Sequence, residues 1–194
     1  MSQLSVIRAR RREQTRDALI NAAVRVFSKY GYERATIDLV AQAAGYSKGA
    51  FYVHFESKEA MLLEIVSAAV SQLDELGDAD IEQTIAAFAA LVRDHPYWPP
   101  LVSEFGAHAW RNPDIREGVE RLWERCTATV EQALTNDSQH SNGHARADAE
   151  MLIALFRGET LNPGATAETI EEKLSHGLRL LRPEGGQRRR GRAA

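Results

Sequence analysis

The sequence predicts an all-α protein of about nine or ten helices. An N-terminal three-helix unit containing a helix-turn-helix comes first, and a larger helical body follows. Three observations carry this expectation. Apolar residues recur at helical spacing along nearly the whole chain. No stretch holds the two-residue alternation of a strand, and runs such as "FYV" are too short and too embedded in helical pattern to count. Glycine, proline and Ser/Thr residues fall where the periodic runs begin and end.

Each element follows from this pattern. "TRDALINAAVRVFSKYG" places Leu19, Ile20, Ala23, Val24 and Phe27 on one side and stops at Gly31. "TIDLVAQAAG" puts Ile37, Val40, Ala41 and Ala44 at i, i+3, i+4 and i+7, with Thr36 as N-cap and Gly45 as a left-handed stop. Ser47 opens "KGAFYVHF", where Phe51 and Phe55 lie one turn apart. Ser57 caps a long helix whose stripe is Met61, Leu62, Ile65, Ala68, Ala69 and Leu73. "IEQTIAAFAALVRDH" ends at Pro96, and "YWPPLVSEFGAHAW" reads as Pro-interrupted and then helical. Pro113 suits the first turn of an amphipathic helix carrying Ile115, Val119, Leu122, Cys126 and Val130. "TNDSQHSNGHARAD" reads as the clearest loop. Two helices follow, "AEMLIALFRGETLN" and "TAETIEEKLSHGLRLL". The tail "RPEGGQRRRGRAA" has nothing to pack and is expected to be disordered. The domains expected are 1–60 with a flexible basic arm, 61–181, and a basic tail 182–194.

Composition narrows the function classes. Hydrophobic residues make up 44% of the 194 and charged residues 26%, as in ordinary globular proteins. No run approaches the roughly 18 apolar residues of a membrane span. The basic start lacks the apolar stretch of a secretory signal. A cytoplasmic, non-membrane protein is expected, and the single Cys126 excludes an internal disulfide framework and reads as core. The net charge of -3 divides unevenly. Residues 1–60 carry 10 Lys+Arg against 6 Asp+Glu, residues 61–180 carry 9 against 20, and residues 181–194 carry 5 against 1. A basic head on an acidic body suits a polyanion at one end. No enzyme and no cofactor are expected. His140 and His144 have i,i+4 spacing but sit in a polar loop, a weak zinc signal. His95 precedes a proline and reads as a cap or packing residue, and no glycine-rich phosphate loop is present.

Two short helices around a glycine turn can present the second helix to a DNA major groove, about 12 Å wide. Its leading residues must be small or extensible to approach the groove floor. Ser47, Lys48, Gly49 and Ala50 meet that need, with Phe51 and Phe55 as the apolar back. Tyr52 and His54 lie off that stripe and are candidate phosphate donors. Arg8, Arg10, Arg11 and Arg12 form a basic arm suited to the minor groove or to phosphates.

The block "GYERATIDLVAQAAGYSKGAFYVHFESKEAML" resembles the signature of TetR-type transcriptional regulators, continuously from about Thr15 to Leu62. Gly31 matches the glycine ending the first helix, Thr36 and Ile37 begin the second, and Ser47-Lys48-Gly49 opens the recognition helix. Tyr52, Phe55 and Lys58 match a "YxxF..K" ending. Tyr46 and Val53 depart from it, standing where a small aliphatic and a polar residue are common. The resemblance implies that Lys48, Gly49, Ala50, Tyr52 and His54 face DNA, and that Lys58 and Thr36 bind phosphate. It also implies a homodimer reading a palindromic operator in double-stranded DNA. The last two helices form its seam, with Leu152, Leu155, Phe156, Ile170, Leu174 and Leu178, flanked by Met151 and Leu181, as candidates. The segment 88–123 concentrates Phe88, Tyr97, Trp98, Phe105, Trp110 and Trp123 together with His108. In this family the corresponding region binds an inducer, so Phe88, Trp98, Phe105, His108, Trp110 and Trp123 are expected to hold a small apolar or aromatic ligand. The alternative reading is an all-helical ligand-binding or protein-interaction module without specific DNA binding.

Overall fold

The computed structural model describes residues 3–140 and 143–182. The basic tail expected at the C-terminus lies, from residue 183 on, outside the described residues. Nine helices occur among the described residues: α1 Gln3–Tyr30, α2 Ile37–Ala43, α3 Lys48–His54, α4 Lys58–Asp74, α5 Ile81–Asp94, α6 Trp98–Ala109, α7 Pro113–Asn136, α8 Ala145–Thr160 and α9 Ala167–Leu181. The chain divides into two compact units. One comprises the residues up to Ala69 and His95–Arg121, and the other comprises Val70–Asp94 and the residues from Leu122 on. The boundary expected at residue 60 is therefore not where the compact units part, because α6 and the start of α7 cluster with the N-terminal helices.

In the first unit, Leu19, Ala22, Ala23 and Phe27 of α1 are buried with Val40 and Ala41 of α2, Phe51 of α3 and Met61 and Leu62 of α4. The α2–α3 turn is built by the signals that the sequence supplies. Thr36 Oγ1 accepts from Leu39 N at 3.2 Å and Ser47 Oγ from Ala50 N at 3.2 Å, so each short helix is capped at its start. Gly45, at φ +78°, lets its own N–H reach the Gln42 carbonyl and the Tyr46 N–H reach the Ala41 carbonyl, closing α2 in a Schellman motif. Gly31, at φ +76°, ends α1, and Glu104 of α6 lies against it.

Two boundaries differ from the pattern reading. Pro99 and Pro100 do not interrupt α6; they stand in its first turn, where amide hydrogens have no intrahelical acceptor to lose. The polar loop before α8 is shorter than its composition implies, since the helix starts at Ala145. Arg146 there bonds Glu124 Oε2 at 2.8 Å, Glu131 at 3.3 Å and Glu150 at 2.8 Å, a network that gives a polar turn a reason to be helical. Also in the second unit, Arg182 clamps Asp137 at 2.8 Å and Glu82 at 2.6 Å.

The core of the second unit holds Ile85, Phe88, Leu152, Phe156, Ile170, Leu174 and Leu178. This corrects the dimer assignment. Leu152, Phe156, Ile170, Leu174 and Leu178 face the chain's own interior, and Leu155 alone of the six is half-exposed. Helical periodicity identifies the most apolar face, and that face is claimed first by the protomer core. The exposed apolar residues of α8 and α9 are Met151, at 60%, and Leu180, at 73%. Gly177 brings the two helices close, as a Cβ there would lie 3.2 Å from Leu152 Cδ2.

Both left-handed glycines resist substitution, but unequally. Gly45→Ala meets open space and carries only the backbone cost, about 1–2 kcal/mol. Gly31→Ala adds a Cβ 3.0 Å from Glu104 Oε1. Denaturant unfolding should show both variants destabilised, Gly31→Ala the more.

Candidate nucleic-acid interface

The outward face of α3 is short and sparsely covered. Ser47, Lys48, Gly49, Tyr52 and Val53 are exposed and Ala50 is half-buried, while Phe51 and Phe55 are 0% and 4% exposed. The two rings lie 5.5 Å apart and hold the helix from behind. Gly49 has only the Ser47 hydroxyl within 4 Å of a Cβ, so nothing of this protein covers its outer side. Tyr52, 52% exposed, packs edge-on against Phe51 at 5.5 Å and leaves its hydroxyl end on the open face. Val53 is 62% exposed beside it, an apolar contact surface where a polar residue was expected.

Lys48 reaches back across the turn: its Nζ donates to Asp38 Oδ2 at 2.8 Å. That hydrogen bond and the carboxylate's charge raise the Lys48 pKa, so the ammonium stays charged. The pair is exposed on both sides, a tether that water and salt weaken readily. Thr36 is exposed, and its hydroxyl oxygen already caps α2. Its O–H remains a donor for a phosphate, as does that of Ser47.

His54 is placed otherwise than expected. It is half-buried, and Nδ1 is enclosed without a hydrogen-bond partner. Burial, then the charges of Arg12 and Arg16, push its pKa below the ordinary histidine value. A neutral imidazole turned towards α1 is a packing group more than a phosphate donor.

Lys58 is half-buried and turned towards the α1–α2 loop. Its Nζ donates to the Tyr32 carbonyl at 2.8 Å and the Ala35 carbonyl at 2.9 Å, and lies 4.2 Å from the centre of the Tyr32 ring. Burial lowers its pKa against the pull of Glu59, Glu33 and Glu104. Two of the three ammonium donors are thus taken by the loop between α1 and α2. Around it, Tyr32 is 1% exposed, and its hydroxyl donates to Glu59 Oε1 at 2.9 Å. The Tyr32 N–H donates to Glu104, and its ring meets Phe27 at 5.5 Å, Phe105 at 5.9 Å and His108 at 5.2 Å. Sequence reasoning passed over Tyr32; its signal was an aromatic directly after a helix-ending glycine.

The expected arm is not an extended chain. Residues from Gln3 on continue α1 as helix, which spreads Arg8, Arg10, Arg11 and Arg12 around its circumference.

The residues expected around a ligand do not form one cluster. Trp98 and Phe105 are buried in the first unit, where His108 is half-buried against Tyr32 and reaches Glu33 at 3.6 Å. Trp110 is 83% exposed and lines no enclosed space; it ends α6. Phe88 and Trp123 lie in the second unit, their rings 5.0 and 6.5 Å from Phe156. Phe88 also lines a small apolar void, with room for about one water, together with Ile85, Val130, Leu152, Ile153, Phe156 and Leu174. The Trp98 Nε1–H is buried without a partner. His140 is buried 3.1 Å from Asp148, and no group of three metal-ligating side chains occurs among the described residues. Burial pushes the Cys126 thiol up to about 12, consistent with a core residue. No helix among the described residues is long and apolar enough to cross a membrane.

Comparison with known proteins places this geometry in a wider set. A family profile described as bacterial regulatory proteins, tetR family, matches residues 19–65, which run from the core of α1 through α3 into α4. The uncharacterised HTH-type transcriptional regulator YerO of Bacillus subtilis is 46% identical over 50 residues, 26% of this chain and only 17% of YerO. The HTH-type transcriptional regulator SrpR of Pseudomonas putida is 33% identical over 156 residues, covering 75% of this chain and 71% of SrpR. Among solved structures, Salmonella enterica GusR superposes with a TM-score of 0.71 over 86% of this chain and 96% of its own, at 20% identity, which shows a shared fold.

The role of Lys58 has a direct test. Lys58→Met keeps the stem and removes the ammonium from two carbonyls. Unfolding free energy should fall by about 1–3 kcal/mol. A surface phosphate contact would leave thermal stability unchanged.

Proposed function

The chain belongs to the TetR family of transcriptional regulators, and on that premise we propose that it is a homodimeric repressor released from a palindromic operator by a small, largely apolar molecule. One observation carries the DNA-reading part: α3 buries Phe51 and Phe55 and leaves Lys48, Gly49, Tyr52 and Val53 open on one side. On this reading Gly49 and Ala50 let the helix approach the groove floor, Lys48 exchanges Asp38 for a phosphate or guanine edge, and Tyr52 donates to a phosphate. Thr36 and Ser47 donate through hydroxyls at the two helix starts.

A head with one seven-residue reading helix contacts few bases, so specificity calls for two heads on symmetric half-sites. Met151, Leu155, Leu180 and Leu181 are large apolar residues that α8 and α9 leave exposed or half-exposed for a two-fold seam. Ligand binding would favour a spacing of the heads that no longer fits the operator. The apolar lining contributed by Phe88 and Phe156 supports an apolar ligand.

Selection from random duplex DNA tests the whole reading: an inverted repeat should emerge, and repeating the selection with candidate ligands should abolish enrichment for an inducer. Enrichment of no duplex would sink the proposal. Tyr52→Ala should weaken binding to the selected site roughly tenfold, the loss of one charge-assisted hydrogen bond. Asp38→Ala should tighten binding at low salt by freeing Lys48 and removing a carboxylate near phosphates, an effect that added salt erases. Met151→Glu combined with Leu180→Glu should shift sedimentation from dimer to monomer while far-ultraviolet dichroism is kept.

A further inference from the structure

The first turns of α1 are unusual helix. From Ser5 to Gln14 every side chain is exposed, so about 15 Å of helix runs beyond the three-helix core with no packed face. Isolated helix of that length is marginal in water. It carries Arg8, Arg10, Arg11 and Arg12 against Glu13, and its first turn has no acidic residue. Among the described residues none of these four arginines joins an ion pair, whereas Arg16, one turn further on, pairs with Glu64.

Helical geometry sorts the four. Arg8, Arg11, Arg12, Thr15 and Leu19 lie within about 60° of the Arg8 direction, and Arg10 points about 160° away. Leu19 is the first buried residue of α1, so this side continues the inward face. Two contacts fix what it overlooks. Thr15 Oγ1 lies 3.5 Å from the Tyr46 hydroxyl in the α2–α3 turn, and Arg16 stacks over Phe55 just beyond α3, at 5.4 Å. The effect of the Arg12 charge on His54 agrees with that placement. The next turns towards the N-terminus, bearing Arg12, Arg11 and Arg8, therefore project on the same side as the reading helix.

We propose that the projecting start of α1 is a helical second DNA-contact element, with Arg8, Arg11 and Arg12 gripping backbone phosphates beside the half-site and Arg10 facing away. This rests on the DNA-reading function of α3. It differs from a flexible arm, in which all four arginines would be equivalent. Charge complementarity fixes the occupant as a polyanion, and the shared side with α3 makes it the same duplex that α3 reads.

The test uses the full chain and the duplex obtained by selection, with affinity measured over a range of salt concentrations. Arg8→Ala and Arg12→Ala should each make the slope of log K against log salt shallower by about 0.9, one phosphate apiece. Arg10→Ala removes the same charge and should leave the slope as in the wild type. Phosphate-ethylation interference should lose one position in each of the first two variants, with base contacts retained. An equal effect of Arg10→Ala, or no effect of Arg8→Ala and Arg12→Ala on a wild type that binds specifically, overturns the inference and leaves the α3 reading intact. A wild type that prefers no duplex overturns both.

Discussion

The reading head depends on how one lysine ammonium is satisfied. Lys58 stands at the first position of α4 and spends two donors on the carbonyls of Tyr32 and Ala35, with the Tyr32 ring against its charge. Those carbonyls lie in the short loop between α1 and α2, which the Ala35 N–H also closes on the Gly31 carbonyl. Satisfying them from α4 ties three helices to one point. Tyr32 extends the tie: its hydroxyl holds Glu59, its amide holds Glu104, and its ring is shared by Phe27, Phe105 and His108. An ammonium at this depth is costly without partners, and burial accordingly lowers its pKa. Two carbonyls, one ring and neighbouring carboxylates offset that cost. The placement of α2, and through its glycine turn of α3, follows from this polar knot as much as from the apolar core.

With the back of α3 fixed, its front is free to be nearly bare. The helix is too short to be stable alone, and two buried rings anchor it. Everything at its leading end is small or exposed. Lys48 is the one long side chain there, and its partner Asp38 lies on the helix before, so without DNA its charge is paired and not lost. Tyr52 shows how one position serves two tasks: its ring edge supports Phe51 while its hydroxyl end remains in solvent. Val53 fits the same logic as an exposed apolar surface suited to a thymine methyl or a sugar, contacts that need no hydrogen bond.

What the sequence made legible was local. Thr36, Gly45 and Ser47 act within four residues of their own positions, so caps and the turn could be read directly, and the buried pair Phe51 and Phe55 followed from spacing alone. Assignments that required knowing a partner from far along the chain fell short. Lys58 reads as a phosphate ligand, and the two donors it gives to Tyr32 and Ala35 are not legible locally. Leu152, Phe156 and Leu174 read as a dimer seam because periodicity names an apolar face without saying which neighbour covers it. Trp110 reads as a pocket residue by composition, yet α6 ends there and leaves it in solvent. The arm around Arg8 to Arg12 lacks an apolar stripe, the signal from which helices are read, so its helical continuation of α1 was invisible.

The second unit answers a different demand. It carries two polar clusters near the end of α7, Arg182 on Asp137 and Glu82, and Arg146 on three glutamates. Burial acts to raise the Asp137 pKa, but the Gln139 amide and Arg182 outweigh it and hold the carboxyl below its ordinary range. Around Phe88 and Phe156 the lining is apolar, and the void there is far smaller than a small-molecule site needs. Apolar side chains meeting edge-on at 5.0 Å hold one another by dispersion and geometry, not by directional bonds. Such contacts can be exchanged for an apolar guest without leaving a polar group unpaired. Room for an apolar guest of ordinary size would therefore have to come from shifts of these side chains and their helices, not from a hole already present.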